Sequence, residues 1–257
     1  MAYEACLFDM DGVIIDTRRA VTTFWAGVAQ HHGVTLSRAD FEERIYGCPG
    51  VQTLDTLFSH LGPAERDAVL ASMLEYEATQ PYAPLPGVLD FVRALAGRGI
   101  PTALVTSGGR AKVRSVASQL ALDGLFGTTV TVEDVQCGKP APDAYRLAAA
   151  RLGVQAERCI VFEDSRSGVQ AAVAAGAACV GVGPEAAKVA LLARGATGVI
   201  PDFMPGSIRI ADSDDARSSG LPLAGRAWLI LPAQSQPAAE ESGVGSGTAP
   251  RSRGGTG

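Results

Sequence analysis

Apolar residues along this chain fall into two regimes. The run Ala5-Cys-Leu-Phe8 is apolar without alternation and is stopped by Asp-Met-Asp-Gly12, the pattern of a parallel strand buried on both faces and ending in a polar turn. From residue 17 to about 80 the spacing becomes helical: Val21, Phe24, Trp25 and Val28, then Phe41 and Ile45, then Leu54, Leu57, Phe58 and Leu61, then Val69, Leu70, Met73 and Leu74. This predicts about four helices and no strand. Beyond the breaker-rich joint Pro81-Tyr-Ala-Pro-Leu-Pro-Gly87, short apolar runs alternate with helical stretches. Strands are predicted at 102–105, 129–132, 159–162 and 178–182, and helices at 110–120, 142–152 and 168–175. Alternating β and α of this kind predicts an α/β fold, a Rossmann-like doubly wound parallel sheet carrying an inserted all-α unit. The expected organisation is a core of residues 1–16 and 84–210 and a helical insert of residues 17–83. Residues 211–257, rich in Ser, Gly, Pro, Ala and Arg, read as a disordered tail; the alternative makes 228–231 a strand that docks on the core or on a partner.

Composition narrows the function classes. At 257 residues the chain is long enough for one or two domains with a sizeable core. With 22 Lys and Arg against 27 Asp and Glu, the net charge of −5 disfavours nucleic acid as a partner. Five scattered cysteines without a CxxC spacing suggest neither a disulfide framework nor a zinc site, and read as reduced, mostly buried thiols. No membrane partner is expected, since the greasiest stretch, 169–182, is too short to span a bilayer. The start MAYEACLFDMDG lacks the basic and apolar regions of a signal peptide, so a cytoplasmic location is expected. Lysine occurs only at 112, 139 and 188 in a chain that otherwise uses arginine, which singles out each lysine.

Ligands of open parallel sheets sit beyond the carboxyl ends of the strands. That rule collects Asp9 and Asp11 after one strand, Thr106 and Ser107 after the next, and Glu163 and Asp164 after a third. A carboxylate can attack phosphorus and hold an aspartyl-phosphate if other groups neutralise the phosphoryl charge and handle the leaving group's proton. Asp9 is the candidate nucleophile and Asp11, two residues on, the candidate acid and base. Mg2+ takes oxygen ligands, and Asp9, the carbonyl of Asp11, and Asp164 form a candidate set. Thr106 and Ser107, followed by Gly108 at a helix start, offer hydroxyl and N–H groups to a phosphate, although the same residues also suit a simple helix cap. Lys139, between Gly138 and Pro140, supplies a compact positive charge. Glu163 has three open roles: orienting Lys139, joining the metal through water, or capping its loop. Tyr46, Cys48 and Gln52 are candidates to touch the non-phosphate end of a substrate, or a loop that only packs. Asp16 and Asp143 read as structural, and His31, His32 and His60 as helix-end residues without a ligand role.

In this order these residues resemble the haloacid dehalogenase superfamily of phosphatases, over residues 8 to about 203. Asp9-Met-Asp-Gly-Val-Ile-Ile-Asp16 looks like its first motif, Val105-Thr-Ser-Gly108 its second, Gly138-Lys-Pro-Ala-Pro-Asp143 its third and Phe162-Glu-Asp-Ser-Arg-Ser-Gly168 its fourth. The resemblance implies a Rossmann-like core, a helical cap at 17–83 that closes over the site, a Mg2+ cofactor and phosphoryl transfer through Asp9. Dehalogenases themselves lack the second aspartate, so Asp11 argues against that activity. β-Phosphoglucomutases look closer, but where they carry a cap histidine and a cap arginine this chain has Val21 and Gly50. The stretches Ile45-Tyr-Gly-Cys-Pro-Gly-Val-Gln-Thr-Leu54 and Gly99-Ile-Pro-Thr-Ala-Leu-Val-Thr-Ser-Gly108 are more similar to the sugar- and polyol-phosphate phosphatases. Hydrolysis of a small phosphorylated metabolite, by a monomer or weak homodimer, is therefore expected. A hexose-phosphate mutase, a phosphoglycolate-type phosphatase and a non-catalytic binding module with a partner-recruiting tail are the alternatives.

Overall fold

The chain begins with β1 (Ala5–Asp9), whose five residues are all buried, as an unalternated apolar strand must be when both faces of its sheet are covered. Four helices follow: α1 (Arg18–His31), the single turn α2 (Arg38–Asp40) running into a π-helical turn at Phe41–Ile45, α3 (Gly50–Leu57) and α4 (Pro63–Thr79). Helices and strands then alternate through α5 (Val88–Ala96), β2 (Thr102–Val105), α6 (Arg110–Leu120), β3 (Thr128–Val130), α7 (Asp143–Arg151), β4 (Cys159–Glu163), α8 (Arg166–Ala175), β5 (Ala178–Val182), α9 (Glu185–Leu192) and β6 (Gly198–Ile200). Three more strands follow: β7 (Arg209–Asp212), β8 (Gly220–Leu223) and β9 (Ala227–Ile230). The computed structural model describes residues 2–212, 220–223 and 227–230.

Strands β1 to β6 form one parallel sheet in the order β3-β2-β1-β4-β5-β6. Chain order reverses between β1 and β4, which makes the gap beyond their carboxyl ends the natural ligand crevice. Pairing of Asp9 with Val105 and of Phe8 with Phe162 sets the ends of β1, β2 and β4 level, so the turns that follow them meet. Side chains alternate between the two faces: Cys6 and Phe8 join one apolar cluster with Val92, Leu95, Leu104 and Phe162, while Ala5 and Leu7 join another with Tyr145, Ala148 and Val169. Phe8 stacks on Phe162 with ring centroids 4.8 Å apart, and burying each such ring contributes about 1.5–3 kcal/mol. Trp25, Ile45, Leu54, Phe58 and Val69 form a third cluster, made by the helices between β1 and β2.

Several elements differ from expectation. The strand expected at 129–132 is Thr128–Val130, because Thr131 and Asp134 cap a short 3-10 turn that takes up the next residues. Helix α8 starts at Arg166, two residues early, where the Ser165 side chain accepts from the Gly168 N–H. Helices α5 and α9 and strand β6 are additions to the predicted set. The disordered reading of the chain from 211 is overturned where β7, β9 and β8 form an antiparallel sheet in that order. Leu223 and Leu229 are buried in the cluster around Phe8, and Tyr3 bridges to Leu223. A few well-spaced leucines outweigh a composition of Ser, Gly and Pro. The alternative reading, a strand over 228–231 docked on the core, describes β9 better; residues 231–257 lie outside the described residues. All five cysteines are free, three of them buried, and no helix among the described residues is long and apolar enough to cross a membrane.

Candidate active site

The site begins at the end of β1. Asp9 is 4% exposed, and its Oδ1 accepts a hydrogen bond from Lys139 Nζ at 2.5 Å. The same ammonium donates to Glu163 Oε1 at 2.6 Å, which also accepts from the Tyr145 hydroxyl at 3.0 Å. Glu163 Oε2 accepts from the backbone N–H and the hydroxyl of Ser165, at 2.8 and 2.9 Å. Both oxygens of Glu163 are thus engaged inside the protein. Of the three roles open to it, this geometry fits two: orienting Lys139 and capping its own loop through Ser165. Burial alone would strip Lys139 of its proton, but Asp9 and Glu163 outweigh it and hold the lysine charged well above its ordinary value.

Asp164, the residue after β4, faces the same place. Gly12 follows the two aspartates with a φ of +77°, and a Cβ there would land on the Asp164 carboxylate, so both the conformation and the close approach require glycine. Arg18, from α1, lies 3.8 Å from Asp164 and pairs with Glu42 at 2.6 Å. Oxygens of Asp9, Glu163 and Asp164 come within 4.8 Å of one another. Burial pushes the Asp9 carboxyl up to about 8, with Lys139 pulling against it and Glu163 and Asp11 adding to the rise; burial and Glu163 likewise push Asp164 well up. So much carboxylate in one dry place suits a hard divalent cation. Because the oxygens of Glu163 are engaged, Asp9 and Asp164 are the members of this cluster that could hold such an ion.

Thr106 is buried, and its Oγ1 accepts from the Gly108 N–H at 2.9 Å, which leaves the hydroxyl hydrogen free to donate. Ser107 Oγ instead donates to the carbonyl of Gly47, at 3.0 Å, tying the 46–50 loop to the sheet edge. Gly47 has a φ of +71° and sits directly against Ser165, which explains its closeness. Asp11 accepts from Lys112 Nζ at 2.8 Å.

A cavity of about 240 Å³ lies between the strand ends and the helices that follow β1. Its floor includes Asp9, Asp11, Asp164, Ser107 and Gly108, and its far wall includes Val21, Trp25, Val51, Leu70, Met73 and Leu74. Tyr46 and Cys48 also line it, whereas Gln52 does not: the helix that starts at Gly50 turns Val51 toward the cavity and Gln52 away. Lys139, Glu163 and Thr106 lie just beneath the floor rather than in its lining. Tyr46 is held by a 2.7 Å hydrogen bond to Thr22 and by Arg18 stacked 4.2 Å over its ring. Sequence reasoning missed Arg18, Glu77, Lys112, Tyr145 and Ser165. Only Lys112 left a signal, as one of three lysines in an arginine-using chain.

A family model for haloacid dehalogenase-like hydrolases matches residues 3–176. The chain belongs to this family. Among relatives of this haloacid dehalogenase-like hydrolase, hexitol phosphatase A of Escherichia coli (strain K12) is 34% identical over 186 residues, covering 71% of this chain and 84% of that one. The fructose-1-phosphate phosphatase of the same organism is 34% identical over 187 residues, covering 70% and 96%. A HAD family hydrolase from Deinococcus radiodurans R1, solved with bound phosphate and sodium, superposes with a TM-score of 0.58 at 28% identity, covering 77% of this chain and 90% of that one.

Proposed function

We propose that the protein is a Mg2+-dependent hydrolase of a small phosphomonoester, a sugar or polyol phosphate, working through an aspartyl-phosphate on Asp9. The observation that carries this reading is the convergence of Asp9, Asp11, Asp164 and Ser107 on one cavity floor, with buried Lys139 on the Asp9 carboxylate. The kinds of ester that the two E. coli relatives are named for support the substrate class.

In the first step a carboxylate oxygen of Asp9 bonds to phosphorus as the bond from phosphorus to the ester oxygen breaks, and Asp11, as the acid, gives its proton to the departing alkoxide. In the second, Asp11 takes a proton from water, the hydroxide bonds to phosphorus, and Asp9 leaves as a carboxylate, with inorganic phosphate as product. Thr106, the N–H groups of the turn to Gly108 and Lys139 hold the phosphoryl oxygens. Mg2+, held by Asp9, Asp164 and the Asp11 carbonyl, would neutralise charge on the transferring group. The helices of residues 17–83 act as the cap that excludes water until the alcohol has left.

Hydrolysis is favoured over mutase chemistry by the cap side of the cavity. A mutase must anchor a second phosphate, yet Val21 and Gly50, which line that side of the cavity, offer no polar side chain to hold one. The test is phosphate release from a panel of sugar and polyol phosphates, with and without Mg2+, beside Asp9→Asn. Metal-dependent release that the variant loses is the expected result. Release that persists in Asp9→Asn refutes the nucleophile, and isomerised product in place of phosphate refutes the hydrolase.

A further inference from the structure

We infer that Lys112 is a positioning residue for the acid and base steps: it fixes the carboxylate of Asp11 by one oxygen and is itself fixed by Glu77 of α4. This rests on the hydrolase reading and on the role of Asp11 in it. Lys112 Nζ lies 2.8 Å from Asp11 Oδ1 and 2.8 Å from Glu77 Oε1, with its side chain only 6% exposed. It stands near the start of α6, directly after the turn that carries Thr106 and Ser107, on a rigid support.

Two features separate this from an ordinary ion pair. First, one buried ammonium serves two carboxylates that belong to different parts of the fold, a task suited to a compact charge with three rotatable donors and not to a guanidinium fork. Second, Lys112 engages only Oδ1 of Asp11, and Oδ2 has no hydrogen-bond partner among the described residues. Oδ2 is therefore the oxygen that passes the proton, and its direction is set by the Lys112 contact. Glu77 lies close to where the chain re-enters the core, and the Tyr82 hydroxyl donates to its carbonyl at 2.7 Å, so the outer end of the chain of contacts is anchored too.

The experiment uses the full chain with Mg2+ and p-nitrophenyl phosphate, followed from the first turnover. Nitrophenolate leaves without needing a proton, so the first step is indifferent to the acid, while attack by water still needs the base. Lys112→Met is expected to keep the rapid first release of nitrophenolate and to lose about 100-fold in steady turnover, the size of a general acid–base contribution, with KM within about threefold of wild type. Turnover within about threefold of wild type overturns the inference, and so does equal loss of the first release and of turnover, which is what distortion of the whole site gives. If Lys112→Met does not fold, Glu77→Gln and Lys112→Arg decide by the same criterion. An inactive wild-type protein refutes the hydrolase reading and this inference with it, whereas an active wild type beside inactive Asp9→Asn isolates the test of Lys112.

Discussion

Replacing Gly168 with alanine sets two effects against each other, and the structure says which wins. Gly168 lies inside the first turn of α8 with ordinary helical backbone, so on helix propensity alone alanine should stabilise by about 1 kcal/mol. Its Cβ, however, would land on the carboxylate of Glu163, which is fully buried. That carboxylate has no room to retreat without leaving Lys139, Tyr145 and Ser165, and breaking a buried, hydrogen-bonded ion pair costs about 3–5 kcal/mol. The net expectation is a loss of about 2–4 kcal/mol. For a chain of this size that lowers Tm by about 4–16 °C. Gly27→Ala is the matched control, because Gly27 is an exposed position in α1 with nothing within 4 Å of its added Cβ, and it should gain about 1 kcal/mol. Urea and thermal unfolding of the two variants, followed by circular dichroism, provide the comparison. If Gly168→Ala is as stable as wild type, or gains as Gly27→Ala does, the Lys139–Glu163 cradle is not the rigid unit described above.

Further outcomes follow from the same geometry. Asp11→Ala should lengthen the life of the aspartyl-phosphate, seen as added phosphate mass on acid-quenched protein; an intermediate no longer-lived than in wild type would contradict the role of Asp11 as base. Mg2+ should raise the Tm of wild type by binding the folded form, and Asp164→Asn should remove most of that rise; an equal rise in both would exclude Asp164 as a ligand. Hydrogen bonds from the Thr131 hydroxyl and N–H, then from Arg151 and Arg110, hold the Asp134 carboxyl well below the usual carboxylate range. A depressed native value means stability that is present above the unfolded value of about 3.9 and is lost as pH falls below it. Asp134→Asn should therefore cost about 1–2 kcal/mol at pH 7, and the difference from wild type should shrink below about pH 4, whereas a gap independent of pH would refute the assignment.

What was readable from sequence tracks what is local. Strands buried on both faces leave unalternated runs with abrupt polar ends, so Asp11, Thr106, Ser107 and Asp164 were legible as residues beyond strand ends, while Asp9 and Glu163, expected after their strands, are the last residues of β1 and β4. Helix phase was not: whether Val51 or Gln52 meets the cavity depends on α3 starting at Gly50, and no periodicity fixes that to one residue. Strand β6, three residues long, is too short to carry a pattern. The partners of Glu163 and Asp11 were also hidden, since Tyr145 and Lys112 reach them from helices distant in sequence. In the last part of the chain, composition spoke for disorder while Leu223 and Leu229, few but well placed, complete an apolar cluster.

That closing role of Leu223 and Leu229 bears on how the chain is made. Phe8 leaves the ribosome well before Phe162, against which it stacks, and before the two leucines that finish its surroundings. At about 5–20 residues per second the wait for Leu229 is on the order of ten to forty seconds, during which β1 carries an open greasy face. A message cut short just before Leu223 would therefore encode all six strands of the parallel sheet but leave the cluster around Phe8 without the two leucines that complete it.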